Sequence, residues 1–284
     1  MPIPLPDHAT DASRRRAERA LELARSCPPE LADEMALTGS TAHGFADDES
    51  DLELNLWVTA IPPLAARIDW LRASGASDIE AEDVARSDQS WWISFRIGDI
   101  PAEIGWQTFD ALRDNLERIL SGAASERGTL VIAEIIASAI PLRAGARLAE
   151  WQTRLRGYSD AVQRAIIDSA VARWSHPGHR AALLRLARHG ERIALTERLL
   201  ADVDMAARVL YAVHRRWEPS RKWTLTAVRD FAPELPARID AILGDPSLER
   251  RVELCARLCR DALALAPETV DVSAALAALR SESD

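Results

Sequence analysis

Two hydrophobic periods divide the chain. As far as about residue 110 the period keeps changing, and beyond it Ala, Leu and Arg recur at helical spacing with scattered Gly and Pro breaks. Asp11 to Ser26 is amphipathic and stops before Cys27-Pro28-Pro29, which predicts a helix. Glu34 to Thr38 is a short apolar strand running into Gly39-Ser40. Asp51 to Val58 alternates, with Asp51, Glu53, Asn55 and Trp57 on one face and Leu52, Leu54, Leu56 and Val58 on the other, as a half-buried strand does. Ile61 to Ser74 is expected to be helical, with Pro62 and Pro63 in its first turn.

A β-hairpin is the sharpest local prediction. Trp91 to Ile97 and Ile100 to Gln107 flank Gly98-Asp99, a two-residue turn signal. Pairing Ile97 with Ile100 sets Ser94 opposite Glu103 and Trp91 opposite Trp106. One face then collects Trp91, Ile93, Phe95, Ile97, Ile100, Ala102, Ile104 and Trp106, while Glu103 joins Trp92, Ser94 and Arg96 on the other. A slip of one residue would mix the faces, so the pattern fixes the register. Pro101 hints that this strand lacks an outer neighbour at that point. His176-Pro177-Gly178-His179 is expected to be a loop, and Leu130 to Leu142 fits strand or helix. The fold class expected is α+β: a mixed sheet flanked by helices in residues 1–128, then an all-helical domain in 129–284, with the boundary anywhere from Gly122 to Gly145.

At 284 residues the chain is long enough for roughly two domains, and 48% hydrophobic with 28% charged residues is a globular composition. No apolar run approaches membrane-spanning length, and Met1 to Arg16 has no apolar signal region, so a cytoplasmic location without a membrane partner is expected. Cys27, Cys255 and Cys259 are too few for a disulfide framework; the last two share a helix face and are expected to be buried thiols. A net charge of −9 repels phosphate backbones, which makes nucleic acid an unlikely partner and a neutral or cationic small molecule an easier one. Lys222 is the single lysine among 35 basic residues.

Chemistry concentrates around the strand at 51–58. Asp51 and Glu53 lie about 6.6 Å apart at Cα and point the same way, which suits one or two hard cations. Gly39 and Ser40 form a small-residue turn able to cradle terminal phosphates. Glu103, on the polar hairpin face, is positioned as a third carboxylate, either metal ligand or general base. An amphipathic strand would show the same alternation of acid and Leu without any catalysis. The basic segment Arg215 to Lys222 fits equally a helix end or a phosphate contact by Lys222, with Trp217 or Trp223 stacking on a ring. His43, in the loop after Ser40, is within reach of a phosphate there but is expected to be a hydrogen-bonded structural histidine, and Asp47-Asp48-Glu49 a solvated loop. Neither a Walker-type nor a Rossmann-type glycine pattern is present.

Leu37-Thr38-Gly39-Ser40, Ser50-Asp51-Leu52-Glu53-Leu54 and Ala102-Glu103-Ile104 together resemble the motif set of the DNA polymerase beta-like nucleotidyltransferase superfamily. The layout is similar to its small-molecule branch, which includes kanamycin and lincosamide nucleotidyltransferases. The motif match covers about the first 110 residues, and Glu53 stands where Asp is commoner. The resemblance implies Mg2+-dependent transfer of a nucleoside monophosphate, usually AMP from ATP, to a hydroxyl of a small molecule such as an antibiotic. Asp51, Glu53 and Glu103 would then be the catalytic and metal residues, and Gly39, Ser40 and Lys222 would hold the nucleotide. Two alternatives accompany it: a nucleotidyltransferase of the toxin-antitoxin type acting on a protein or RNA, and a non-catalytic nucleotide-binding module. The pattern leaves the oligomeric state open.

Overall fold

The computed structural model describes residues 3–82 and 84–280; Met1 and Pro2, part of the stretch read for a signal region, lie outside it. It shows an α+β protein, with a mixed six-stranded sheet among the described residues and a helical remainder. The first elements are α1 (Asp11–Ser26), β1 (Glu34–Thr38), α2 (Gly39–Ala42), β2 (Leu52–Val58), α3 (Leu64–Ala73), β3 (Ala76–Ala81), β4 (Trp91–Ile97) and β5 (Ile100–Thr108). Next come α4 (Phe109–Leu120), α5 (Arg127–Ser138), β6 (Ile140–Arg143) and α6 (Ala146–Arg156). The rest is α7 (Asp160–Trp174), α8 (His179–Arg188), α9 (Arg192–Val213), α10 (Thr224–Ala227), α11 (Leu235–Gly244), α12 (Leu248–Leu263) and α13 (Ser273–Ala278).

Local chemistry sets these bounds. Thr10 caps α1 by accepting from the Ser13 N–H, and Pro28 prevents its continuation. Helix α3 begins later than expected because Pro63, at ψ 140°, is its cap and not part of its first turn. The sheet runs in the order β3-β4-β5-β2-β1-β6, with β2 and β5 parallel and the other pairs antiparallel. The hairpin has the expected register from Ile97↔Ile100 to Trp91↔Trp106. Pro101 precedes Ala102, the first β5 residue paired to β2, so its missing N–H costs no bond in that ladder.

Two compact units emerge: residues 1–118 with 132–157, and residues 119–131 with 158–284. The division differs from the expected single cut between 128 and 129, which falls inside α5. The reason is Glu34. Its buried carboxylate accepts from the Arg147 and Leu148 N–H groups at 3.0 and 2.7 Å, capping α6 from the start of β1. Gly145 leaves room for it, since a Cβ there would come within 2.0 Å of Glu34 Oε1. Together with the pairing of β6 to β1, this binds residues 140–156 to the sheet.

The first unit's core lies on one sheet face: Leu52, Leu54, Leu56, Ile93, Ile104 and Trp106 are fully buried. Trp70 meets Trp106 edge-on at 6.2 Å, and Trp106 Nε1 donates to the Leu31 carbonyl. In the second unit, α7, α9 and α12 pack around Trp174, Leu199, Val209, Val252 and Leu263. Cys255 and Cys259 are buried free thiols in this core. Burial pushes the Cys259 thiol well above its ordinary range. Among the described residues no helix is long and apolar enough to cross a membrane.

Candidate active site

The sheet face opposite the first unit's core carries the polar residues. The parallel pairing places Glu53 level with Glu103, and the alternation of β2 puts Asp51 and Asn55 on the same face. Asp51, Glu53 and Glu103 are all half-buried. Beside Glu53, β1 ends and the chain turns through Gly39 at φ 65°, a left-handed conformation that a side chain disfavours. Contact is so close that a Cβ on Gly39 would sit 2.3 Å from Glu53 Oε2. The next two side chains, Ser40 and Thr41, are buried, and their hydroxyls meet no hydrogen-bond partner among the described residues. Buried polar groups are nearly always satisfied, so two adjacent exceptions single out this corner of the sheet.

Glu103 faces the other way. Ser94 Oγ on β4 donates to its Oε1 at 3.2 Å, and Arg86 Nη2 lies 3.9 Å from its Oε2. The polar face thus gathers the three acids expected from the sequence, but their carboxylates do not meet at one point. Among the described residues, no three His, Cys, Asp or Glu side chains form a metal-ligand group. What the face offers is hard oxygen donors beside a small-residue turn, which suits a magnesium ion that takes one or two carboxylates and completes its shell with substrate oxygens.

His43, expected to be structural, has a defined partner. Its Nε2 is 2.7 Å from Glu134 Oε1, and its ring stacks on Phe45. Burial opposes its charge, but the Glu134 hydrogen bond and the charges of Glu134 and Glu53 outweigh that, so its pKa is raised. Glu134 could not be found from the sequence, because it lies on α5 in the ambiguous stretch. Arg86 had no signal either, whereas Trp92 and Gly105 were findable as opposite residues in the hairpin register.

Five of the six expected site residues lie around this face; Lys222 belongs to the second unit, in the turn Arg221–Trp223. The segment around it is less basic in its environment than its composition suggests. Its centre is Glu218, fully buried, held through both oxygens by Arg208 Nε at 3.1 Å and approached by Arg127. Burial pushes the Glu218 carboxyl up, while the Arg208 and Arg127 charges pull it back. Arg215 pairs with Asp160, and Trp217 packs on Tyr158 at 4.5 Å between ring centroids. His179, expected in a loop, instead opens α8 and binds Asp202 Oδ2 at 2.9 Å, because that buried carboxylate requires partners.

A domain-of-unknown-function model, DUF4037, matches residues 129–224. No curated protein matches. Among solved structures, a nucleotidyltransferase-like protein from Exiguobacterium sibiricum 255-15 is 11% identical, with 87% of this chain and 73% of that chain covered and a TM-score of 0.41. The Cid1 poly(U) polymerase with MgGTP bound is 17% identical over 46% of this chain and 43% of that one, at a TM-score of 0.27. Both are distant likenesses.

Proposed function

We propose that this protein is a magnesium-dependent nucleotidyltransferase that moves a nucleoside monophosphate, AMP from ATP by its motif resemblance, onto a hydroxyl of a small molecule, with hydroxylated antibiotics as the first acceptors to test. The observation that carries the reading is the fit between Gly39 and Glu53. A carboxylate packed where no side chain fits, next to two buried hydroxyls without partners, forms a pocket edge suited to a polyphosphate and its counter-ion.

In this reading Asp51 and Glu53 hold the divalent ion, which when bound neutralises charge developing on the transferred phosphoryl group. Ser40 and Thr41 donate their hydroxyl hydrogens to phosphate oxygens. Glu103 orients the acceptor hydroxyl. Its oxygen attacks the α-phosphorus, the bond to the bridging oxygen breaks, and pyrophosphate leaves with that electron pair. The hydroxyl proton passes to Glu103 or to solvent.

Incubation with ATP, Mg2+ and a panel of hydroxylated acceptors, followed by mass spectrometry, should show an acceptor heavier by AMP and an equivalent of pyrophosphate. Asp51→Asn combined with Glu53→Gln should lower the rate at least about a thousandfold, roughly 4 kcal/mol of barrier. An undiminished rate would refute the site. Lys222→Ala should raise the KM for ATP at least about tenfold, the loss of roughly one hydrogen bond to a charged group. An unchanged KM would remove Lys222 from the nucleotide site.

A further inference from the structure

The three acids share a sheet face, yet two of them lean apart. Glu53 lies against Gly39 at the end of β1, and Glu103 leans toward β4 and the loop before it. Strand register does not cause this, since Glu53 and Glu103 are level on adjacent strands and their carboxylates could otherwise approach one another.

Repulsion between the two carboxylates favours the separation, and Arg86, with Nη2 3.9 Å from Glu103 Oε2, gives Glu103 a cation to lean toward. Arg86 is itself firmly seated. Its Nε and Nη2 donate to Glu82 Oε1 at 2.9 and 2.7 Å, and Nε also reaches Oε2 at 3.1 Å. The guanidinium lies over the Trp92 ring, 4.3 Å from its centroid. Trp92 in turn covers Gly105, where a Cβ would come within 2.6 Å of the indole, and its Nε1 donates to Ser90 Oγ at 2.7 Å. The loop is pinned once more through the Asp88 carbonyl, which accepts from Gln107 and Asn115. The cation beside Glu103 is therefore built into the fold by contacts that do not involve Glu103.

We infer that Arg86 is a positioning residue: it steers Glu103 away from Asp51 and Glu53, so that the divalent ion is carried by two carboxylates and Glu103 is reserved for the acceptor side. This deepens the nucleotidyltransferase reading and rests on it for the identity of the ion.

The test has a structural arm and an affinity arm. In a crystal structure of Arg86→Gln with Mn2+ bound, Glu103 should swing toward the ion; if it keeps its bond to Ser94, the inference is overturned. In the second arm Mn2+ affinity is read by electron paramagnetic resonance in the presence of a non-hydrolysable ATP analogue. Glu103→Gln alone should change the affinity less than about twofold, and Arg86→Gln should tighten it at least about threefold, a gain that adding Glu103→Gln removes. A loss on Glu103→Gln as large as that on Asp51→Asn would show Glu103 to be a resident ligand and overturn the inference. No response to Asp51→Asn would instead refute the underlying metal reading. Melting temperatures of all variants guard against a folding defect.

Discussion

The Asp202 cluster of the second unit and the polar sheet face of the first treat their buried polar groups in opposite ways. In the second, Asp202 is 2% exposed and every approach to it is answered: Arg173 Nε at 2.6 Å, Trp174 Nε1 at 3.1 Å and His179 Nε2 at 2.9 Å. Glu218 is held by Arg208 at 3.1 Å, with Arg127 at 3.7 Å. In the first unit, by contrast, the hydroxyls of Ser40 and Thr41 are buried without partners, and three half-buried acids share one sheet face. Complete satisfaction around a buried charge is what structure requires, because an unpaired one costs several kcal/mol. Incomplete satisfaction, kept beside a glycine turn, is the signature of a place that binds something else.

The strongest way to break this contrast is to unpair Asp202. Asp202→Ala should cost about 3 kcal/mol in urea unfolding, because the Arg173 guanidinium, the His179 imidazole and the Trp174 indole N–H all lose the carboxylate they share. A cost below about 1 kcal/mol would mean that this cluster is no more structural than the sheet face. The acid side carries a sign as well. Burial raises the Asp202 pKa, but the His179 and Arg173 interactions outweigh it, and the net shift is downward from 3.8. The stability it contributes is therefore present above that value and is lost as the pH falls through the lower, folded-state value.

Gly39→Ala sharpens the other half. A methyl group there meets both a positive φ and the Glu53 carboxylate. About 1 kcal/mol of stability should be lost, and nucleotidyl transfer should fall further than that loss accounts for. Equal activity in the variant would separate the turn from the site.

The smallest effect concerns His43. Its pKa is raised on folding, so the stability from the Glu134 pair is fully present below 6.5 and disappears as the pH rises through the folded-state value. His43→Gln should thus destabilise the protein more at pH 6 than at pH 9 in chemical unfolding. The reverse order would show the imidazole to be neutral in the folded state.

Much of the first unit was legible because its signals are local. The Gly98-Asp99 turn and a clean alternation fixed the hairpin register residue by residue, and that register alone placed Glu103 on the polar face. Strand β3 escaped notice since Ala76–Ala81 is an edge strand with polar residues at half its positions, and β6 stayed unassigned at the end of the ambiguous stretch Leu130 to Leu142, since Pro141 and a length of four residues gave no period to read. The domain boundary failed for a non-local reason: the contact of Glu34 with the start of α6 spans more than 110 residues. Likewise the three acids were visible as a set, but the rotation of Glu103 toward Arg86 depends on a loop that shows no motif.

Calorimetric titration of the protein with a non-hydrolysable ATP analogue, with and without Mg2+, tests the central claim most directly. Binding should require the ion and should vanish when Asp51→Asn is combined with Glu53→Gln. Equal binding without Mg2+, or undiminished binding by the double variant, would show that the polar sheet face does not hold a metal-bound polyphosphate.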